Sequence, residues 1–142
     1  MGQKMILMQT SILRNESVQH IHIGCDFDTA WAYLTDPLNQ AEWGIHFFRE
    51  IMQEDNQYMA VLPFGKLPMR LVADRESGCI DLFLGDGQPT HMRLVKSSET
   101  SCLFVFILFQ PTGMPDEVWQ SEGIPNLTEE LALLKHILEA MA

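Results

Sequence analysis

The stretch Met69-Arg70-Leu71-Val72-Ala73-Asp74-Arg75-Glu76-Ser77-Gly78-Cys79-Ile80-Asp81-Leu82-Phe83-Leu84 holds two apolar-rich runs around the cluster Arg75-Glu76-Ser77-Gly78. In the first run Met69, Leu71 and Ala73 alternate with Arg70 and Asp74. Successive side chains of a strand point to opposite faces, so this pattern buries one face and wets the other. The cluster between the runs supplies residues that turn at little cost. Two strands joined in this way form an antiparallel hairpin.

The same punctuation continues outward on both sides. Toward the N-terminus, strands are predicted over 47–52 and 57–62, with breaks at Glu54-Asp55-Asn56 and Phe64-Gly65-Lys66-Leu67-Pro68. Toward the C-terminus they are predicted over 91–96 and 102–109, after Gly85-Asp86-Gly87-Gln88-Pro89 and Ser97-Ser98-Glu99-Thr100. Together with 69–74 and 79–84, six strands follow one another as a meander. In the strand at 91–96, Met92 and Leu94 oppose His91 and Arg93. The last strand is apolar on both faces: Leu103, Val105, Ile107 and Phe109 on one, Cys102, Phe104, Phe106 and Leu108 on the other. One face is expected under a C-terminal helix, the other under the N-terminal arm (5–13) or a second subunit.

Before the meander, the β-branched run 17–23 reads as a strand. Asp26 then offers an N-cap, and Phe27, Ala30, Trp31 and Leu34 predict a short amphipathic helix over 27–35. Asp36-Pro37 ends it, because the residue before proline avoids the helical region. A second short helix is expected over 38–42, leading to Trp43. After the meander, Gly113, Pro115, Gly123 and Pro125 bracket an irregular connection containing Trp119. Asn126 reads as a cap with Glu129 three residues on, as in a capping box. Leu127, Leu131, Leu134, Leu138 and Met141 then form a stripe that Ile137 widens. The fold class is α+β: a seven-stranded curved antiparallel sheet wrapped on a long C-terminal helix, with two short helices after strand 1. Residues 1–16 form an arm and 17–142 one domain.

A chain of 142 residues can bury a core without a metal or a disulfide. Nineteen acidic against nine basic residues give a formal charge of −10, which disfavours nucleic acid and anionic membrane surfaces. Cys25, Cys79 and Cys102 form no CxxC pair and are expected as small core residues. The apolar run near the start is too short for a signal peptide, and Ile6 stands where a myristoylation signal has Ser or Thr. A soluble, cytoplasmic protein without cofactor or metal is expected.

The segments Ile21-His22-Ile23-Gly24-Cys25 and Asp28-Thr29-Ala30-Trp31-Ala32-Tyr33-Leu34-Thr35-Asp36-Pro37, then Trp43, resemble the START/Bet v1-like (polyketide cyclase/dehydrase-like, SRPBCC) superfamily. The C-terminal Leu131-Ala132-Leu133-Leu134-Lys135-His136-Ile137-Leu138-Glu139 resembles its closing helix. The resemblance spans roughly 17–141 and its motifs are structural. It implies a helix-grip fold, used in the family for carriage of lipids, sterols or hormones, for polyketide cyclisation and by chaperone co-factors. Fold alone does not choose among these.

A helix lying across a bent sheet leaves an apolar hollow with a few polar groups. Trp43, Phe64, Met69, Leu71 and Phe83 are candidates to line it, with Met92, Leu94, Phe104, Phe106 and Leu108 from the later strands. Trp119, Leu131, Leu134 and Leu138 complete the set; simple core packing is the competing account. The apolar turn at Phe64 reads as a lid or as packing against the Trp119 segment. His46 and His91 are weak acid/base candidates, since a lone histidine is usually structural or solvated. His20 and His22 share a strand face, but no third ligand accompanies them. Arg70, Asp74, Asp81 and Arg93 read as a cross-strand charge ladder, or as holding an arginine turned inward to bind a ligand carboxylate. The expected function is binding of a small hydrophobic molecule, lipid-like or aromatic. A cyclase/aromatase-type enzyme and a homodimeric interaction module are the alternatives.

Overall fold

The computed structural model describes residues 14–142. The expected cover of the last strand by residues 5–13 lies outside them. The chain runs β1 (Glu16–Ile23), α1 (Phe27–Leu34), a 3-10 turn (Pro37–Asn39), α2 (Gln40–Trp43), β2 (Glu50–Glu54), β3 (Gln57–Leu62), β4 (Gly65–Asp74), β5 (Cys79–Leu84), β6 (Thr90–Ser98) and β7 (Ser101–Phe109). It ends with α3 (Asp116–Val118), a π-helical turn (Trp119–Gly123) and α4 (Ile124–Met141). The seven strands form one antiparallel sheet in the order β1-β7-β6-β5-β4-β3-β2. The meander is continuous, and β1 joins it beside β7, with His20 opposite Val105.

Each short helix forms for a local reason. Asp26 caps α1 by accepting from the Thr29 amide at 3.0 Å and the Thr29 hydroxyl at 2.8 Å. Asp36 does the same for the 3-10 turn through the Leu38 amide at 3.1 Å. The Tyr33 hydroxyl donates to Glu42 at 2.6 Å and fixes α1 against α2.

Three expected elements differ. Strand β2 starts at Glu50 rather than at 47, because the Gly44 carbonyl accepts from the amides of Phe47 (3.1 Å) and Phe48 (2.8 Å) and folds them into a turn. The break at Phe64–Pro68 is mostly strand: Leu62 pairs with Gly65 across the two-residue turn Pro63-Phe64. Pro68 is tolerated there because ladder pairing with β5 begins only at Met69, so no partner strand needs its missing donor, while its carbonyl accepts from the Gly85 amide at 2.8 Å. The Trp119 connection is helical, not irregular, and Asn126 lies inside α4 rather than capping it. A proline within a helix clashes with the carbonyl four residues back and lacks its own donor. Here the Ile124 amide reaches the Trp119 carbonyl, five residues back, and this π-turn carries the helix into Pro125.

The inner face of the sheet and α4 enclose the core. Ile23, Ile80, Leu94, Cys102 and Phe104 meet Leu127, Leu131, Leu134 and Leu138, all at most 3 % exposed. Polar bonds align α4 along β1: Thr128 donates to Gln19 at 2.8 Å, Lys135 to the His22 carbonyl at 2.6 Å, and the Gly24 amide to Glu139 at 2.7 Å. Cys25 and Cys102 are buried, and the Cys102 thiol donates to the Cys25 carbonyl at 3.3 Å. Burial pushes the Cys102 thiol up to about 11, so it is inert. Cys79, by contrast, is exposed on β5 and is not a core residue.

The outer face carries Val18, His20 and His22 of β1, and these histidine rings meet edge to face at 5.9 Å. The expected charge ladder is absent as such. Arg70 lies over the Phe83 ring at 4.4 Å, the Arg93 Nε donates to the Ser77 carbonyl at 2.9 Å, and Asp81 pairs with His91. Among the described residues, no helix is long and apolar enough to cross a membrane, and no group of three or more His, Cys, Asp or Glu side chains could hold a metal ion.

Candidate functional site

A hollow of about 210 Å³ opens where the inner face of the sheet diverges from the helices. The sheet contributes Leu82, Thr90, Met92, Phe106 and Leu108. The α2 end contributes Gln40 and Trp43, and the turn after it His46, Phe47 and Phe48. Pro111, Met114, Trp119 and Gly123 close it from the C-terminal connection, and α4 adds Asn126, Leu127 and Glu130.

The walls are mainly apolar, with three buried polar groups set in them. Gln40 is satisfied: its Nε2 donates to the Leu34 carbonyl at 2.7 Å. Trp43 meets the rings of Phe104 and Phe106 edge to face at 6.0 and 6.2 Å. Its indole N–H is fully buried and has no hydrogen-bond partner among the described residues. An orphaned buried donor of this kind costs about 1–3 kcal/mol. Glu130 is 8 % exposed, and its Oε2 accepts the His46 amide at 3.0 Å. Burial pushes its carboxyl above the ordinary carboxylate range, against the opposing pull of the His46 and Phe47 amides and the His46 ring. The His46 ring itself turns to Glu129 on the helix surface, at 3.0 Å.

Of the residues expected to line a pocket, Trp43, Met92, Phe106, Leu108 and Trp119 are brought together here. Phe104 backs the Trp43 wall. Met69, Leu71, Leu94, Leu131, Leu134 and Leu138 belong to the packed core instead. Phe83 is on the outer face under Arg70. Phe64 is 73 % exposed at a hairpin tip and is not among the residues that line the hollow, so it does not cover it as a lid. His91 is exposed on the outer face beside Asp81 at 2.7 Å, away from the hollow. His46 lies on the hollow's rim.

Glu130 was missed, although the sequence carries a signal for it. It stands three residues after Leu127 and four before Leu134, so it interrupts the apolar stripe with a carboxylate. Phe47 and Phe48 were missed because the alternation rule placed them in a strand.

A wider groove of about 480 Å³ lies between the start of α1, the β4–β5 turn and β6. Its basic groups are engaged: Arg75 with Asp28 and over Phe27, Arg93 with Ser77, Lys96 with Glu99 at 3.2 Å. It offers little apolar surface and no buried polar group.

No family model and no curated protein matches the chain in sequence. Solved structures match its fold. The Zhui aromatase/cyclase from a Streptomyces species superposes with a TM-score of 0.67 at 13 % identity, over 89 % of this chain and 94 % of that one. A START superfamily protein from Mycobacterium smegmatis gives 0.63 at 12 % identity, over 89 % and 99 %. Norcoclaurine synthase from Thalictrum flavum, solved with dopamine and hydroxybenzaldehyde, gives 0.59 at 11 % identity, over 93 % and 90 %. The chain has the helix-grip fold of the START/Bet v1-like superfamily.

Proposed function

We propose that the protein binds a small, mainly apolar molecule in the hollow between the sheet and α4. The observation that carries this reading is the hollow itself, mainly apolar and walled by Trp43, Phe47, Phe48, Phe106 and Trp119, with Glu130 buried in the wall. Apolar contact with these walls contributes about 25 cal/mol per Å² buried. Size narrows the class. A cavity of about 150 Å³ holds benzene, and drug-sized ligands occupy about 300–1,000 Å³. A hollow of about 210 Å³ suits one or two rings better than a sterol or an acyl chain. Native mass spectrometry of freshly purified protein tests this reading. A bound mass of one- or two-ring size supports it, and a co-purified lipid or sterol overturns the size limit.

One observation favours a catalytic reading as well, of the cyclase/aromatase type: an ionisable carboxyl in the hollow whose proton affinity is raised by burial. Glu130 would then be the acid/base group, and neither His91 nor His46. Full turnover by a Glu130→Gln variant, once a substrate is known, would rule this out.

The outer face of β1, β6 and β7 supports association of two copies. Val18, Val95 and Phe109 are 59 %, 37 % and 38 % exposed there. Light scattering that gives the mass of one chain at micromolar concentration excludes this.

A further inference from the structure

We infer that Glu130 makes the hollow selective by charge: it admits uncharged ring compounds bearing a hydroxyl or carbonyl group and rejects those bearing a carboxylate. This inference rests on the ligand-binding reading above and names the ligand class for it. Its basis is geometric. Glu130 is held at the hollow wall by the His46 amide, on a rigid helix, 8 % exposed among aromatic side chains. Among the described residues lining the hollow only Glu130 and His46 are ionisable, and the His46 ring is already paired with Glu129. Among the described residues, a ligand carboxylate entering the hollow would meet one buried acidic group and no lysine or arginine. Two carboxyl groups in one desolvated space cannot both stay ionised without a large penalty. A phenol or ketone brings no such charge. A hydroxyl can donate to the Glu130 oxygens, and a carbonyl can accept from that carboxyl when it is protonated. The acidic surface, at a formal charge of −10, repels anions on approach and acts in the same direction.

The test compares 1-naphthol with 1-naphthoate, two probes of the same ring and opposite charge behaviour, by calorimetry at neutral pH. The wild-type protein is expected to bind naphthol at least about tenfold more tightly than naphthoate, a gap of about 1.4 kcal/mol. Glu130→Gln keeps an acceptor for the His46 amide and removes the charge, so the gap should shrink at least about threefold through better naphthoate binding. Glu130→Ala, compared in parallel, should shrink it too and serves if the glutamine variant does not fold. Naphthol binding with an equal affinity for naphthoate, or a ratio unmoved in the folded variant, overturns the charge filter and leaves the ligand-binding reading standing. Failure of both probes to bind overturns the ligand-binding reading and the filter with it.

Discussion

Glu130 is the residue on which the chemistry of the hollow turns, and its cost to the fold is measurable. Its folded-state affinity for a proton is raised above that of the unfolded chain, chiefly by desolvation. The stability it contributes is therefore present below the unfolded carboxylate range and is lost as pH rises through its folded pKa. Glu130→Gln has no proton to lose. The melting temperature of the variant should accordingly gain on the wild type as pH climbs from about 4 to about 8. A constant difference across that range would show that the carboxyl is not desolvated. Gly78 gives a second residue-scale prediction. It has a φ of +75°, and an added Cβ would lie 2.0 Å from the Leu94 carbonyl oxygen. Gly78→Ala must therefore strain the backbone and push β6 away, and should cost at least about 2 kcal/mol in chemical denaturation. The Arg75-Glu76-Ser77-Gly78 turn was legible from composition, but this crowding was not. Residue types announce turns, whereas the approach of a neighbouring strand is set by the whole sheet.

At the scale of elements, the C-terminal helix shows both what periodicity reveals and what it hides. Leu127, Leu131, Leu134 and Leu138 were legible as one buried stripe, since spacings of three and four place them on one face. Met141, assigned to the same stripe, is 51 % exposed because the helix outruns the sheet. Leu134→Ala should cost about 2–5 kcal/mol and Met141→Ala less than about 0.5, measured by urea unfolding. Equal costs would mean that α4 does not dock as described. The preceding turn was hidden because Gly123 and Pro125 signal an interruption. The π-turn absorbs that interruption, and no local rule foretells it, because it depends on Trp119 being anchored in the core at 1 % exposure. Truncating that anchor, Trp119→Ala, should destabilise the protein by about 3–5 kcal/mol. Similarly, the strands at 57–62 and 79–84 were read to the residue, while Phe47 and Phe48 went astray where a glycine carbonyl outcompetes the ladder.

For the molecule as a whole, element order was enough to give the architecture, because a strand, two short helices, six meandering strands and a closing helix leave few ways to bury every apolar face. The position of the hollow was less legible. Alternation tells which face a side chain takes, but not how far along the sheet the helix stays in contact, and that decides whether Leu94 packs or Met92 lines a space. The central claim is that this space receives a ligand. The chain has three tryptophans, and they report on it separately: Trp43 and Trp119 border the hollow, whereas Trp31 stacks on Phe27 at 5.6 Å on α1. The most direct measurement is the indole N–H region of a nitrogen-15 NMR spectrum during a titration with 1-naphthol, with Trp43→Phe assigning its signal. A saturable shift of the Trp43 resonance, with Trp119 following and Trp31 still, is the predicted result. Indole signals that all stay in place, or a shift confined to Trp31, would contradict the account.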